Sequence, residues 1–242
     1  MVKIGNQLPT KSYRNIYSST LFEEAVKIYE RTGLKVYDWQ KNILKDVMAL
    51  DEDNLWAHQK YGYSVPRRNG KTEIAYIVEL WGLHHELKIL HTAHRISTSH
   101  SSFEKLKKYL EKMGYIDGED FVSNKAKGQE RIEIPSTNSI IQFRTRSSSG
   151  GLGEGFDLLV IDEAQEYTVE QESALKYTVT DSQNPLTIFC GTPPTMVSIG
   201  TVFKDFRKST LAGNEKYGGW AEWSIDTEKE LDDVASWYIT NP

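Results

Sequence analysis

One cysteine, Cys190, in a chain of 242 residues leaves nothing for an internal disulfide to form from, so the core must hold the fold, as suits a reducing compartment. No run of eighteen apolar residues occurs, which excludes an α-helical membrane span, and the N-terminal Met-Val-Lys-Ile-Gly-Asn has no signal-peptide core. An excess of positive charge is also missing. With 29 Lys and Arg against 34 Asp and Glu, the net charge of −5 argues against a nucleic-acid binder that works by bulk charge. Local basic patches remain at Arg67-Arg68, Lys105-Lys107-Lys108 and Arg144-Arg146, of which the lysine group reads first as a solvated helix face. Neither an internal repeat nor a low-complexity tract appears. What is present, 38% apolar and 26% charged residues, describes an ordinary globular protein of one large domain or one and a half small ones.

Residues 61 to 72, Tyr-Gly-Tyr-Ser-Val-Pro-Arg-Arg-Asn-Gly-Lys-Thr, organise the rest. A β-branched and aromatic strand runs into a tight loop and then into a helix from Glu73 to about His84. Gly70-Lys71-Thr72 ends the loop as the phosphate-binding G-x-x-x-x-G-K-[ST] pattern does, although its first glycine position is Val65 here. Such a loop closes backbone N–H groups on a phosphate at Gly70, sets the Lys71 cation on the β and γ oxygens and offers the Thr72 hydroxyl to Mg²⁺. The following helix aims its N-terminal N–H groups at the same anion.

Elsewhere the patterning predicts helices over Leu21 to Arg31, Trp39 to Leu50 (with Asp38 as N-cap), 96 to 113, Val202 to Leu211 and Leu231 to Tyr238. Strands are expected at Lys88 to Ala93, Leu186 to Cys190 and Trp220 to Ile225, with a hairpin over 131 to 134 and 139 to 145. Residues 1 to 19 read as a polar extended arm, and Ser147 to Gly155 as a mobile loop. Trp39-Gln40, at the head of the second helix, offers a ring to stack on adenine and an amide to pair with its edge; a core Trp and a surface Gln are the alternative. Asp157-Leu158-Leu159-Val160-Ile161-Asp162-Glu163-Ala164 reads as a strand buried on both faces that ends in two carboxylates, where open α/β sheets bind ligands. Asp162 is placed to hold the Mg²⁺ shell and Glu163 to position or deprotonate a water. Thr192, after the strand ending in Cys190, falls on the same rim as a reporter of the γ-phosphate. His84, His85, His91, His94 and His100 straddle different elements without a cysteine or a close carboxylate pair, so a metal site is rejected.

Ordered this way, the chain reads as α/β, a P-loop NTPase of the additional-strand, RecA-like type with a central mostly parallel sheet flanked by helices. It resembles the ATPase domain of the large terminase subunit of tailed bacteriophages, through Pro66-Arg67-Arg68-Asn69-Gly70-Lys71-Thr72, Asp162-Glu163-Ala164, Gly191-Thr192-Pro193 and Trp39-Gln40, over about Asp38 to Pro194. The resemblance implies Mg²⁺-dependent ATP hydrolysis that drives double-stranded DNA into a procapsid. It also implies self-association into a ring, portal and small-subunit partners, no membrane, and a place in the host cytoplasm. It makes Arg67 the arginine of the phosphate loop and Arg146, with Arg144 second, a finger acting on a neighbour's nucleotide. The segments expected are an arm and first helix over 1–37, the ATPase core over 38–226, and a helix over 227–242 leading toward a linker. The nuclease domain of the family has no counterpart in these residues, so no nuclease activity is expected of them. A two-domain helicase lacks room for its second lobe, and a nucleotide-gated assembly module without turnover has no use for Glu163.

Overall fold

The computed structural model describes residues 5–146, 154–225 and 233–242. In chain order these form β1 (Lys11–Tyr13), β2 (Ser19–Thr20), α1 (Phe22–Glu30), α2 (Asp38–Val47), β3 (Ala49–Leu50), β4 (Lys60–Ser64), α3 (Lys71–Leu83), β5 (Lys88–Ala93) and α4 (Ile96–Lys112). There follow β6 (Val122–Asn124), β7 (Arg131–Ile134), β8 (Ser139–Thr145), β9 (Leu158–Asp162), α5 (Val169–Leu175), β10 (Leu186–Gly191), α6 (Val202–Leu211), β11 (Gly218–Glu222) and α7 (Val234–Thr240). Nine strands make the main sheet, in the order β1-β11-β4-β10-β9-β5-β8-β7-β6. From β11 to β8 the neighbours run parallel, whereas β1 at one edge and β7 and β6 at the other are antiparallel. This is the expected RecA-like P-loop sheet.

Parallel pairing explains the apolar runs. Every residue of β9 and β10 is buried because helices cover both faces of the sheet. Helix α3 is buried on all sides from Ile74 to Leu83, as its nearly continuous apolar sequence requires. β11 starts at Gly218, two residues before the expected strand, and is buried throughout rather than alternating, because β4 pairs with it in parallel. The Trp220 ring lies over Gly62 of β4, where an added Cβ would stand 2.4 Å from it. Helix α2 begins at Asp38, so Tyr37 and not Asp38 is the capping residue, and the Gln40 Oε1 accepts from the Tyr37 N–H at 3.0 Å. The expected last helix is seen as α7, while Leu231 and Asp232 lie outside the described residues, as does the Ser147 to Gly153 stretch.

Register places the carboxyl ends of four strands side by side. Gly191 pairs with Ser64, Cys190 with Asp162, and Thr92 with Ile161, so the segments after β4, β10, β9 and β5 share one edge. The N-terminal residues join this body: β1 extends the sheet, and the Trp223 Nε1–H donates to the Asn6 carbonyl at 2.7 Å.

His58 fastens the same arm. It is buried, its Nδ1 lies 2.8 Å from the Asp46 carbonyl, and its Nε2 accepts from the Asn15 N–H at 2.9 Å. Both contacts need the neutral ring with its proton on Nδ1. Burial accordingly pushes His58 below its ordinary value of 6.5. A depressed histidine contributes fully above its unfolded value, and that contribution is lost as pH falls below it. Hydrogen exchange at the Asn15 amide, corrected for intrinsic rate, should therefore accelerate between pH 7.5 and 5.5 in the wild type and stay level in His58→Gln.

Candidate active site

The phosphate loop owes its shape to two left-handed residues, Arg68 at φ 70° and Gly70 at φ 77°. Glycine adopts that conformation without steric cost. Val65, at the pattern's first glycine position, is fully buried, and its N–H donates to the Gly191 carbonyl at 3.1 Å. It thus prolongs β4 into the core, and the loop proper starts at Pro66. The loop is tied down by the Gln40 Nε2–H on the Gly70 carbonyl at 3.1 Å and by the Asn69 amide on the Pro66 carbonyl at 3.2 Å.

At the head of α3 two side chains meet one carboxylate from β9. The Lys71 Nζ lies 3.3 Å from the Asp162 Oδ1, and the Thr72 hydroxyl donates to the Asp162 Oδ2 at 3.4 Å. Asp162 is 2% exposed. Burial raises a carboxyl, but Lys71, His91 and the Glu163 N–H outweigh it and hold Asp162 below the ordinary carboxylate range. Burial likewise works against the Lys71 charge, yet the Asp162 carboxylate at 3.3 Å keeps it above the usual lysine value. The Cys190 thiol itself, fully buried, is pushed up to about 12 and is inert as a nucleophile.

Glu163 turns out of the strand in a left-handed conformation, φ 52°. Its N–H donates to the Asp162 Oδ1 at 2.8 Å, and its Oε2 accepts from the His94 N–H at 3.2 Å. Across the cleft the Thr192 N–H donates to the Gln165 Oε1 at 3.1 Å, and the Ile199 N–H to the Glu166 Oε2 at 3.3 Å. The segments after β9 and β10 are therefore hydrogen-bonded to each other. A cleft of about 1130 Å³ opens between the phosphate loop and these segments, with Lys71, Thr72, Glu163 and Thr192 on its walls and Arg67 and Arg68 exposed at its rim.

Four expected residues are placed otherwise than expected. Trp39 is 3% exposed in the core, edge-on to Trp223 at 5.5 Å, and is thus the core tryptophan of the alternative reading. Gln40 is buried with its amide engaged on Tyr37 and Gly70, not free at the surface. Arg146 does not project from the hairpin: it is 7% exposed and points inward, its Nη1–H groups on the Asp162 carbonyl at 2.6 Å and the Thr92 carbonyl at 3.3 Å, its Nη2–H on the Glu163 carbonyl at 3.2 Å. The outward arginine is Arg144, half-buried and bonded to Gln142, with Glu154 at 3.5 Å. Asn69 also turns aside, to Asn241 at 2.9 Å.

The sequence pattern marks neither Gln165 nor Glu73 as a site residue, and offers His94 only as a rejected metal ligand. Glu73 follows Thr72 directly, and its Oε2 accepts from the Tyr29 and Tyr109 hydroxyls at 2.8 and 2.6 Å, while its Oε1 faces the Lys105 Nζ at 3.2 Å. One carboxylate so joins α1, α3 and α4 beside the phosphate loop. Glu73→Ala would leave two phenols, 3% and 2% exposed, without their acceptor, and should lower unfolding stability in urea by about 1–3 kcal/mol, with Glu73→Gln losing less.

No protein-family model matches the sequence, and no curated protein matches it either. Solved structures do. The large terminase of bacteriophage HK97 superposes with a TM-score of 0.78 at 16% identity, over 92% of this chain and 48% of that one. The large terminase ATPase domain of Thermus phage P74-26 gives 0.55 at 16% identity, over 74% and 72%. The large terminase of a further thermophilic bacteriophage gives 0.54 at 12% identity, over 78% and 47%. The chain thus spans about half the length of the first and third of these proteins. At these identities the likeness is one of fold, and the fold of this chain is the P-loop fold of phage large-terminase ATPase domains.

Proposed function

We propose that the cleft binds ATP and hydrolyses it, and that the chain is the ATPase part of a motor that packages double-stranded DNA. The observation that carries this reading is the convergence of Lys71 and Thr72 on the buried Asp162 carboxylate with Glu163 beside it at the cleft wall. Backbone N–H groups at the start of α3 and the Lys71 ammonium receive the phosphates. The Thr72 hydroxyl and the Asp162 carboxylate are hard oxygen donors facing each other, which suits Mg²⁺. Bound there, the ion would neutralise charge on the transferring phosphoryl group. Glu163 orients the attacking water and takes its proton. Arg67 and Arg68, exposed at the rim, supply charge to the phosphates from within the chain. Thr192, linked through Gln165 to the segment that carries Glu163, conveys the state of the γ-phosphate to the strand end beside it.

The fold shared with phage terminases supports the packaging role, with a ring of subunits, portal and small-subunit contacts, DNA and the host cytoplasm as its setting. In such a ring Arg144, not the inward Arg146, is the hairpin arginine able to face a neighbour.

Phosphate release measured with ATP and Mg²⁺ tests the reading. Lys71→Ala should abolish turnover and weaken ATP binding. Glu163→Gln should keep binding and slow turnover by roughly 10²- to 10⁴-fold, as expected for losing a positioned base. Nucleotide binding with no Lys71-dependent phosphate release would instead favour an assembly module without turnover.

A further inference from the structure

Arg146 is the most deeply placed arginine near the cleft, and its partners are unusual. Its hydrogen bonds to described residues end on three main-chain carbonyls, those of Thr92 at the end of β5, Asp162 at the end of β9, and Glu163 just beyond. The Tyr167 ring covers the guanidinium at 5.5 Å. Burial pushes the group down to about 10, so it remains charged at neutral pH.

We propose that Arg146 is a positioning residue that works within its own chain: by bracketing the carbonyls of Thr92, Asp162 and Glu163 it holds Glu163 in the backbone conformation that presents its carboxylate to the cleft. This rests on the ATPase reading above and deepens it.

The geometry supplies the reason. Glu163 sits at φ 52°, a conformation that residues with a side chain rarely adopt, so something outside the residue must hold it. The two peptide carbonyls on either side of that kink, Asp162 and Glu163, both point at one guanidinium. A planar fork with five N–H donors can satisfy several converging acceptors at once, and an ammonium cannot match that shape. The Thr92 carbonyl adds the neighbouring strand to the bracket, and two residues further on the His94 N–H holds the Glu163 side chain. Arg146 therefore fixes the main chain of Glu163, while the segment after β5 fixes its carboxylate. The phosphate contacts of Lys71 and Thr72 come from α3 and do not pass through Arg146. Loss of the bracket should appear in turnover and leave nucleotide affinity in place.

The test compares Arg146→Lys, Arg146→Ala, Glu163→Gln and the Arg146→Lys/Glu163→Gln double variant of the full chain, by phosphate release, nucleotide affinity and thermal unfolding. Arg146→Lys should lower kcat at least tenfold with KM changed less than twofold. In the Glu163→Gln background the same substitution should lower turnover less than twofold further, because the group it positions is already gone. Multiplicative losses in the double variant, or wild-type kcat in Arg146→Lys, would overturn the proposal. So would recovery of activity on mixing Arg146→Ala with Lys71→Ala chains, since a neighbour cannot supply a bracket made inside one chain. If Arg146→Ala does not fold, the lysine variants decide alone. The Lys71→Ala control keeps the two readings apart: turnover that ignores Lys71 sinks the ATPase reading, whereas Lys71-dependent turnover that ignores Arg146 sinks only this one.

Discussion

The buried carboxylate of Asp162 is the interaction on which the rest of the site depends. It accepts from Lys71, Thr72 and the Glu163 N–H at once, and so joins the head of α3 to the end of β9. A buried anion is tolerated only with such company, because a partner removed leaves an uncompensated charge. Its pull on Lys71 keeps a cation in the cleft wall, and its hold on the Glu163 amide starts the kink from which the second carboxylate departs. With its folded value below the ordinary 3.8, this contribution is complete at neutral pH and fades only as pH falls through and below that value.

Around that carboxylate the sheet acts as a frame. Four parallel strands in register deliver the phosphate loop, the acidic pair, Thr192 and His94 to one edge, and their burial on both faces fixes the heights at which those side chains emerge. The hydrogen bonds from the Thr192 N–H to Gln165 and from the Ile199 N–H to Glu166 then make the segments beyond β9 and β10 a single wall.

Much of this was legible in the chain itself. Gly70-Lys71-Thr72, the apolar run ending in Asp162-Glu163 and the strand before Thr192 announce themselves because local chemistry dictates both their conformation and their partners. At Arg146 the strand pattern and the structure part for a definable reason. Period-two alternation puts it on the half-exposed face of β8 with Gln142 and Arg144, but the strand ends at Thr145 and frees the next residue from that alternation. The carbonyls at the ends of β5 and β9, which draw it inward, belong to segments remote in sequence. Trp39 and Gln40 show the same limit: an aromatic and an amide at a helix start fit a base site or a core equally well, and Trp223, far along the chain, decides for the core.

Helix α3 carries a mechanical consequence. Thirteen residues at 1.5 Å each make a rod of about 20 Å whose first residue is Lys71 and whose far turns have no solvent face. Close-packed protein interiors are nearly incompressible, so such a rod has little play in its bearings. A displacement imposed at the Lys71 end would be felt by α1 and α2, which pack against this helix. The response of that layer would then be set by a stiff element rather than by a flexible hinge.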